Sequence, residues 1–348
     1  MDNIVCEVPL INRKLKVGIV TLKDVAVAVG VSEMTVSRAF RVHSDVADKT
    51  RARIIAVANE MGYVPNRIAS MLASKSSTII PIIVPSLRNR VFLDIVAAAQ
   101  EVISAEGYQM MLINTEYSEL KETEAVKAVL AWKPAALILS GTNHSEATLK
   151  LVQNENFPII EIMEITDQPI DICVGFSHHN AGRDMGQYLV SKGYQSFAFY
   201  GCQIERDARG KQRFEGFRSE IVEAGLPEPK LNNINTKFVD LVEQNLLEEF
   251  ALDCLKYDCI YCNNDDLAIG ILLTLQRLGK KVPEDLAIAG FNNLEMGQLI
   301  SPGLTTSSSP RSEIGTLSAQ FALDRIKGIK LESKVNDLGC RLVPRGSA

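Results

Sequence analysis

Long apolar runs are missing from this 348-residue chain, and none approaches the ~18–20 residues needed to cross a bilayer. The N-terminus carries no signal-peptide pattern, because Arg13, Lys14 and Lys16 lead into only a short apolar stretch before Lys23 and Asp24. Histidine is scarce, with four residues at 43, 144, 178 and 179 and no metal-type spacing. No Gly-x-x-x-x-Gly-Lys phosphate cradle and no Gly-x-Ser-x-Gly elbow occur, which removes the enzyme classes built on them. The seven cysteines are odd in number and irregularly spaced, as in a reduced, cytoplasmic protein. Cys254, Cys259 and Cys262 lack a second pair or a nearby histidine, so they read as buried thiols and not as a zinc site. The single tryptophan, Trp132, precedes Pro134 and reads as packing. No metal, cofactor or catalytic residue is expected.

Charge is unevenly distributed. The whole chain has a net charge of −5, yet residues 1–75 hold 11 Lys and Arg against 7 Asp and Glu, a net of +4. The remainder holds 26 against 35, a net of −9. A mildly basic N-terminal unit on an acidic body suits a DNA-binding module joined to a domain with another task.

The basic part contains the most specific signal. Leu22, Val25, Ala26 and Val29 recur at helical spacing and form one apolar stripe. Gly30 interrupts it, and Ser32 is a good N-cap for a second helix in which Val36 and Phe40 face inward. Glu33, Met34, Ser37 and Arg38 then point outward. This is the layout of a helix-turn-helix that places its second helix in the major groove. Periodicity resumes from Lys49 to Met61 as a third helix, and Gly62 ends it. Residues 66–74 are a short helix-competent segment before a Lys75-Ser76-Ser77-Thr78 linker.

From Ile79 onward, β-prone runs alternate with amphipathic helical stretches. The expected order is strand 79–84, helix 92–106, strand 108–114, helix 119–132, strand 135–139, helix 145–154 and strand 158–163. A second series starts at strand 172–176 and runs through helix 180–192, strand 196–200, helix 209–224, a long irregular stretch, helix 240–253, strand 258–262, helix 265–278 and strand 286–291. Alternation of this kind implies right-handed crossovers and parallel sheets, and two series imply two doubly wound lobes with a cleft at their strand ends. The pattern predicts an all-α helix-turn-helix headpiece followed by an α/β core of two doubly wound parallel-sheet lobes.

The chain resembles the LacI-type transcriptional regulators along nearly all of its length after residue 20. The resemblance is carried by Thr21-Leu22-Lys23-Asp24-Val25-Ala26, Gly30-Val31-Ser32, Thr35-Val36-Ser37-Arg38, Lys49-Thr50-Arg51, Gly62-Tyr63-Val64-Pro65-Asn66 and Ala69. Asn264-Asp265, Val282-Pro283-Glu284-Asp285 and Ala289-Gly290-Phe291 extend it. Within that family it is most similar to the gluconate-utilisation repressors, through Pro85-Ser86-Leu87, Gly107-Tyr108-Gln109, Val174-Gly175-Phe176, Gln276-Arg277-Leu278-Gly279, Gly297-Gln298 and Asp337-Leu338-Gly339.

The resemblance implies a core of periplasmic-binding-protein type, with boundaries of 20–65 for the headpiece, 66–77 for a hinge helix and linker, and 78–348 for a two-lobed domain that binds effector and dimerises. It further implies a homodimer on a palindromic operator, with Glu33, Met34 and Arg38 at the base-reading positions. Arg38 suits guanine and Met34 a thymine methyl; Glu33 suits a cytosine amine or is a solvated first-turn carboxylate. Thr21, Ser32, Thr35, Ser37, Thr50 and Asn66 are implied phosphate contacts, which orient without selecting sequence. The 66–74 segment is implied to fold on DNA as a hinge helix, with Leu72 wedged into the minor groove and Ala69 allowing close approach.

The resemblance also implies a small effector between the lobes, a sugar acid such as gluconate. Arg213 and Asn264 match the family positions that meet it, and Ser86 and Phe92 come from the first-lobe loop. Asn180 and Asn292 stand where many members have aspartate, which suits an anion, although Asn180 also serves as a helix cap. Arg206 is the expected second cation, and His178 and His179 read as surface or structural. The alternatives are a neutral or phosphorylated sugar effector on the same scaffold, then a solute-binding protein or an enzyme. Residues 342–347 have the form of an engineered thrombin site, but they also fall where the family closes with a short strand and tail, and they read as native.

Overall fold

The structure, a computed structural model, describes residues 20–40, 45–64 and 77–348. The expected hinge helix at 66–74, with Asn66, Ala69 and Leu72, lies outside the described residues. The chain divides into two compact units, Met1–Ser76 and Ser77–Ala348.

In the first unit α1 (Leu22–Val29), α2 (Glu33–Ala39) and α3 (Asp48–Met61) enclose a small core of Val25, Ala26, Val29, Val36, Ala39, Ile54 and Ala58. Thr21 opens α1 with a reciprocal capping box to Asp24. Gly30 ends it at φ +75°, in the left-handed region where a glycine is needed. Arg51 Nε donates to the Ala39 carbonyl at 3.0 Å and ties α3 to the end of α2.

The second unit holds two six-stranded sheets. The first lobe contains β1 (Ile79–Val84), β2 (Gln109–Asn114), β3 (Leu137–Ser140), β4 (Ile159–Ile162) and β5 (Ile172–Gly175), with helices α4 (Arg90–Ala105), α5 (Glu119–Leu130) and α6 (Glu146–Val152) between them. Two more helices, α7 (His178–Ser191) and α8 (Ala208–Glu223), flank β6 (Phe197–Cys202) in the second lobe. There follow β7 (Lys230–Ile234), α9 (Phe238–Glu243), α10 (Leu247–Cys254), β8 (Cys259–Cys262), α11 (Asp265–Arg277), β9 (Ala287–Phe291), α12 (Met296–Leu299) and β10 (Thr305–Ser308). The chain then returns to the first lobe as α13 (Arg311–Ile326) and β11 (Val335–Asp337), and ends with β12 (Arg341–Val343) in the second.

The sheet orders are β11-β5-β4-β3-β1-β2 and β12-β10-β9-β8-β6-β7, parallel throughout except for the β10–β12 pair. The two orders correspond strand for strand, so each lobe has its topological switch point between its first and third strands. Ligand sites form outside the carboxyl ends of such strands.

Several expectations need correction. Strand 172–175 joins the first sheet between β4 and β11, so the second series begins at β6. The irregular stretch contains β7, an edge strand whose Lys-Leu-Asn-Asn-Ile sequence has no apolar run. Helix 240–253 is two helices, α9 and α10, broken near Asn245 at φ +56°. Trp132 is 44% exposed and does not serve as core packing. Cys254, Cys259 and Cys262 are buried, free thiols.

Ser347 and Ala348 are buried in the second lobe, whereas Pro344 and Gly346 are exposed. Ser347 is fully buried; its hydroxyl donates to Ile288 O at 2.6 Å and accepts from Thr305 N at 2.8 Å. Arg345 donates to Leu304 O at 2.7 Å and to Asn293 Oδ1 at 2.6 Å.

Inside the first lobe His144 lies between two carboxylates, with Nδ1 2.9 Å from Glu122 and Nε2 3.4 Å from Glu161. Burial by itself pushes the imidazole down, but hydrogen bonds and charge from Glu122 and Glu161 outweigh it and hold the pKa at about 9. A histidine raised above its unfolded value stabilises the fold fully below ~6.5, and that contribution is lost as pH rises through the folded pKa. Urea unfolding of wild type and His144→Gln between pH 6 and 10 is expected to show wild type losing about 3 kcal/mol of its advantage. A stability difference that is flat across that range contradicts the assignment.

Candidate functional site

Two sites emerge, one in each unit. In the headpiece, Glu33 and Met34 are exposed on the first turn of α2 and Arg38 on its last. Ser32 caps this helix: its Oγ accepts from Thr35 N at 3.2 Å and lies 2.8 Å from Thr35 Oγ1. Thr21 Oγ1 donates to Asp24 Oδ2 at 2.6 Å, and this hydrogen bond lowers the Asp24 pKa. Ser37 and Thr50 are half-buried. Arg38 Nη1 pairs with Asp45 at 3.1 Å, both side chains largely exposed.

The second site is a cleft with about 420 Å³ of open space at the carboxyl ends of both sheets. The first lobe lines it with Asn89, Val91, Phe92, Tyr117 and Met163, and the second with His178, Asp207, Arg209, Arg213, Asn263, Asn264, Phe291 and Asn292. Arg213 is its centre and is only 4% exposed. Its Nη1 donates to His178 Nδ1 at 2.9 Å and its Nη2 to the Asn263 carbonyl at 3.0 Å. The guanidinium lies 4.1 Å over the Phe291 ring, and Asp207 is 3.7 Å away. Burial, reinforced by Arg213 and Arg209, lowers the His178 pKa well below its usual value. The ring is therefore neutral, with Nδ1 accepting from Arg213 and Nε2 donating to Met163 O at 3.2 Å. Two buried polar atoms, Arg213 Nε and Asn263 Oδ1, have no hydrogen-bond partner among the described residues.

Arg209 is the second cation, where Arg206 was expected. It stands one turn before Arg213 on α8, a spacing that puts both on one face. From the second lobe it reaches into the first: Nε to Glu164 at 2.5 Å, Nη2 to Ser140 Oγ at 3.0 Å, and 5.6 Å over the Phe92 ring. Arg206 is exposed on the 3-10 turn Ile204–Arg206 and does not line the cleft.

Of the other expected residues, Phe92, Arg213, Asn264 and Asn292 are in the lining and Ser86 and Asn180 are not. Ser86 Oγ accepts from Arg88 N and Asn89 N, so it shapes the loop that presents Asn89. Asn180 is exposed in the first turn of α7, two positions after the inward-facing His178. His178, read as surface or structural, is a buried lining residue, whereas His179 is exposed.

Two glycines set this geometry. A Cβ on Gly182 of α7 would meet the Arg213 carbonyl at 2.0 Å, and one on Gly216 of α8 the His179 carbonyl at 1.9 Å. The two backbones thus touch where each helix carries a cleft residue, which fixes Arg213 against His178.

The family model described as bacterial regulatory proteins, lacI family, matches residues 21–66. The model described as periplasmic binding proteins and sugar binding domain of LacI family matches residues 77–338. The chain belongs to the LacI family. It is 35% identical to the HTH-type transcriptional regulator GntR of Escherichia coli K12, over 94% of this chain and 98% of that protein. It is 32% identical to the HTH-type transcriptional regulator IdnR of the same strain, over 93% and 97%. A LacI-family regulator from Silicibacter pomeroyi superposes with a TM-score of 0.84 at 34% identity, covering 94% of this chain and 99% of that one. This LacI-family member is a DNA-binding transcriptional regulator, and its relatives are regulators, not enzymes. No described helix is long and apolar enough to cross a membrane.

Replacing Gly216 by Ala is expected to cost about 3 kcal/mol of core stability, because the new methyl meets a backbone carbonyl. Gly225→Ala, opposed only by a φ of +77° with nothing within 4 Å, is expected to cost about 1 kcal/mol. Equal urea midpoints for the two variants contradict the backbone contact.

Proposed function

We propose that this cytoplasmic regulator represses genes of sugar-acid catabolism and leaves its operator when a small sugar acid such as gluconate binds between the lobes. The observation that carries the reading is the buried guanidinium of Arg213, whose Nε has no hydrogen-bond partner among the described residues while Asp207 stands 3.7 Å off. A ligand carboxylate completes such a cation with a charge-assisted hydrogen bond. Asn89, Asn263, Asn264 and Asn292 supply amides for hydroxyl groups. No carboxylate stands at 292, where many family members have aspartate, and that favours an anion over a neutral sugar.

On DNA, a homodimer would place each α2 in one half of a palindrome, with Arg38 gripping guanine and Glu33 and Met34 completing the readout. Thr21, Ser32, Thr35, Ser37, Thr50 and Asn66 would hold phosphates. A nine-residue hinge helix at 66–74 is too short to be stable alone in water. Its folding would therefore depend on DNA and on the two cores being correctly spaced, with Ala69 and Leu72 in the minor groove.

Operator titration with gluconate, glucose and a sugar phosphate tests the effector. Gluconate is expected to weaken operator binding by at least about fivefold and glucose to leave it unchanged. Arg213→Ala is expected to abolish the response and spare operator binding without ligand. A response to glucose but not to gluconate sinks the sugar-acid assignment and leaves the regulator standing. Arg38→Ala is expected to lose about 1–3 kcal/mol of discrimination at one guanine per half-site; an equal loss on every sequence makes it a phosphate contact.

A further inference from the structure

Asn292 lines the cleft with its main chain in the left-handed region, at φ +110°. Its side chain accepts from Ser309 Oγ at 3.4 Å, and its amide donates to Ser307 O at 2.8 Å. The carbonyl accepts from Arg311 Nη1 at 2.7 Å.

Arg311 is the first residue of α13, where the helix macrodipole opposes a cation. Its N-cap, Pro310, makes no side-chain cap bond. The guanidinium is fixed by its partners, because Nε also pairs with Asp94 at 2.9 Å and the side chain is only 12% exposed. Asp94 lies on α4, two residues beyond the cleft-lining Phe92, and α4 packs against α13. Arg311 and Asp94 therefore both ride on the first lobe. Asn292 belongs to the second, and residues 309–310 are one of the three crossings between them.

We propose that Arg311 is the positioning residue that couples cleft occupancy to lobe arrangement, by holding the Asn292 carbonyl to the first-lobe helix α4. The inference rests on the cleft being the effector site. A ligand bonded to the Asn292 side chain bears on a residue whose carbonyl is anchored across the lobe gap. Moving Asn292 must either carry α13 and α4 along or break a charge-assisted hydrogen bond. A bond made in one lobe arrangement and lost in the other is what lets a ligand shift their balance. The planar fork of arginine serves both acceptors at once, which a lysine ammonium cannot reproduce. The nearby Arg90–Glu295 pair, at 3.3 Å with both side chains more than half exposed, is too solvated to replace it.

The test uses full-length wild type, Arg311→Met and Arg311→Lys. Calorimetry gives gluconate affinity, and anisotropy gives operator affinity with and without gluconate. Amide exchange across residues 291–295 is measured without ligand. Both variants are expected to bind gluconate within about tenfold of wild type, while the operator response falls to within about twofold of none. Exchange at 291–295 is expected to quicken about tenfold in Arg311→Met. Either variant keeping the wild-type response overturns the proposal. If wild type itself ignores gluconate, the effector reading fails, and unchanged exchange at 291–295 in Arg311→Met then overturns the Arg311 link separately.

Discussion

A guanidinium buried between two lobes has to be compensated, and the cleft is organised around that requirement at Arg213. An isolated buried cation is too costly to keep. Here Phe291 offers a ring face, the Asn263 carbonyl and His178 Nδ1 accept hydrogen bonds, and Asp207 stands close without full contact. The compensation includes a neutral histidine, since a protonated ring would have no lone pair for Arg213. Burial and the two arginines together keep His178 in that form. What remains unsatisfied, among the described residues, is the Nε–H of Arg213 and the side-chain oxygen of Asn263.

That arrangement depends on helix packing some distance from the pocket floor. α7 and α8 approach at Gly182 and Gly216 until no Cβ fits between them, and His178 and Arg213 are carried on those same helices. The first lobe repeats the device where Gly315 of α13 would place a Cβ 2.3 Å from the Ile95 carbonyl of α4. Close backbone contact makes each helix pair rigid, and between the lobes polar links stand beside shared apolar packing. Arg209 with Glu164 and Ser140 is one such link, and Arg311 with Asn292 is another. A regulator needs this division, because interiors are packed too tightly to deform continuously and respond by switching between arrangements.

The helix-turn-helix was legible because its signals are local. Thr21, Gly30 and Ser32 act within one or two turns of chain, and the apolar stripe of α1 has helical period. The central strands were legible for the same reason, as apolar runs that need burial on both faces. β7 and β10 were not. β10 is Thr-Thr-Ser-Ser, and its burial is supported by Asp265, Arg345 and Ser347, partners 40 or more residues away. The cleft was read in part. Arg213, Asn264, Asn292 and Phe92 were found through family positions, and the four-residue step from Arg213 to Arg209 was available in the sequence. Asn180 falls two positions past His178 on the solvent side of α7, and Arg206 stands on the 3-10 turn before α8, so neither lines the cleft.

By itself the sequence determined a DNA-reading headpiece and a pair of doubly wound lobes, and the family resemblance singled out Arg213 for the cleft between them. The headpiece and the lobes follow from periodicity, caps and motif residues, all of which act over short stretches of chain. Only the tertiary structure decided which lobe strand 172–175 joins, which second arginine enters the cleft, and why His178 is uncharged. Each of those depends on groups far apart in sequence meeting in a space that excludes water, where a single hydrogen bond or charge outweighs local preference.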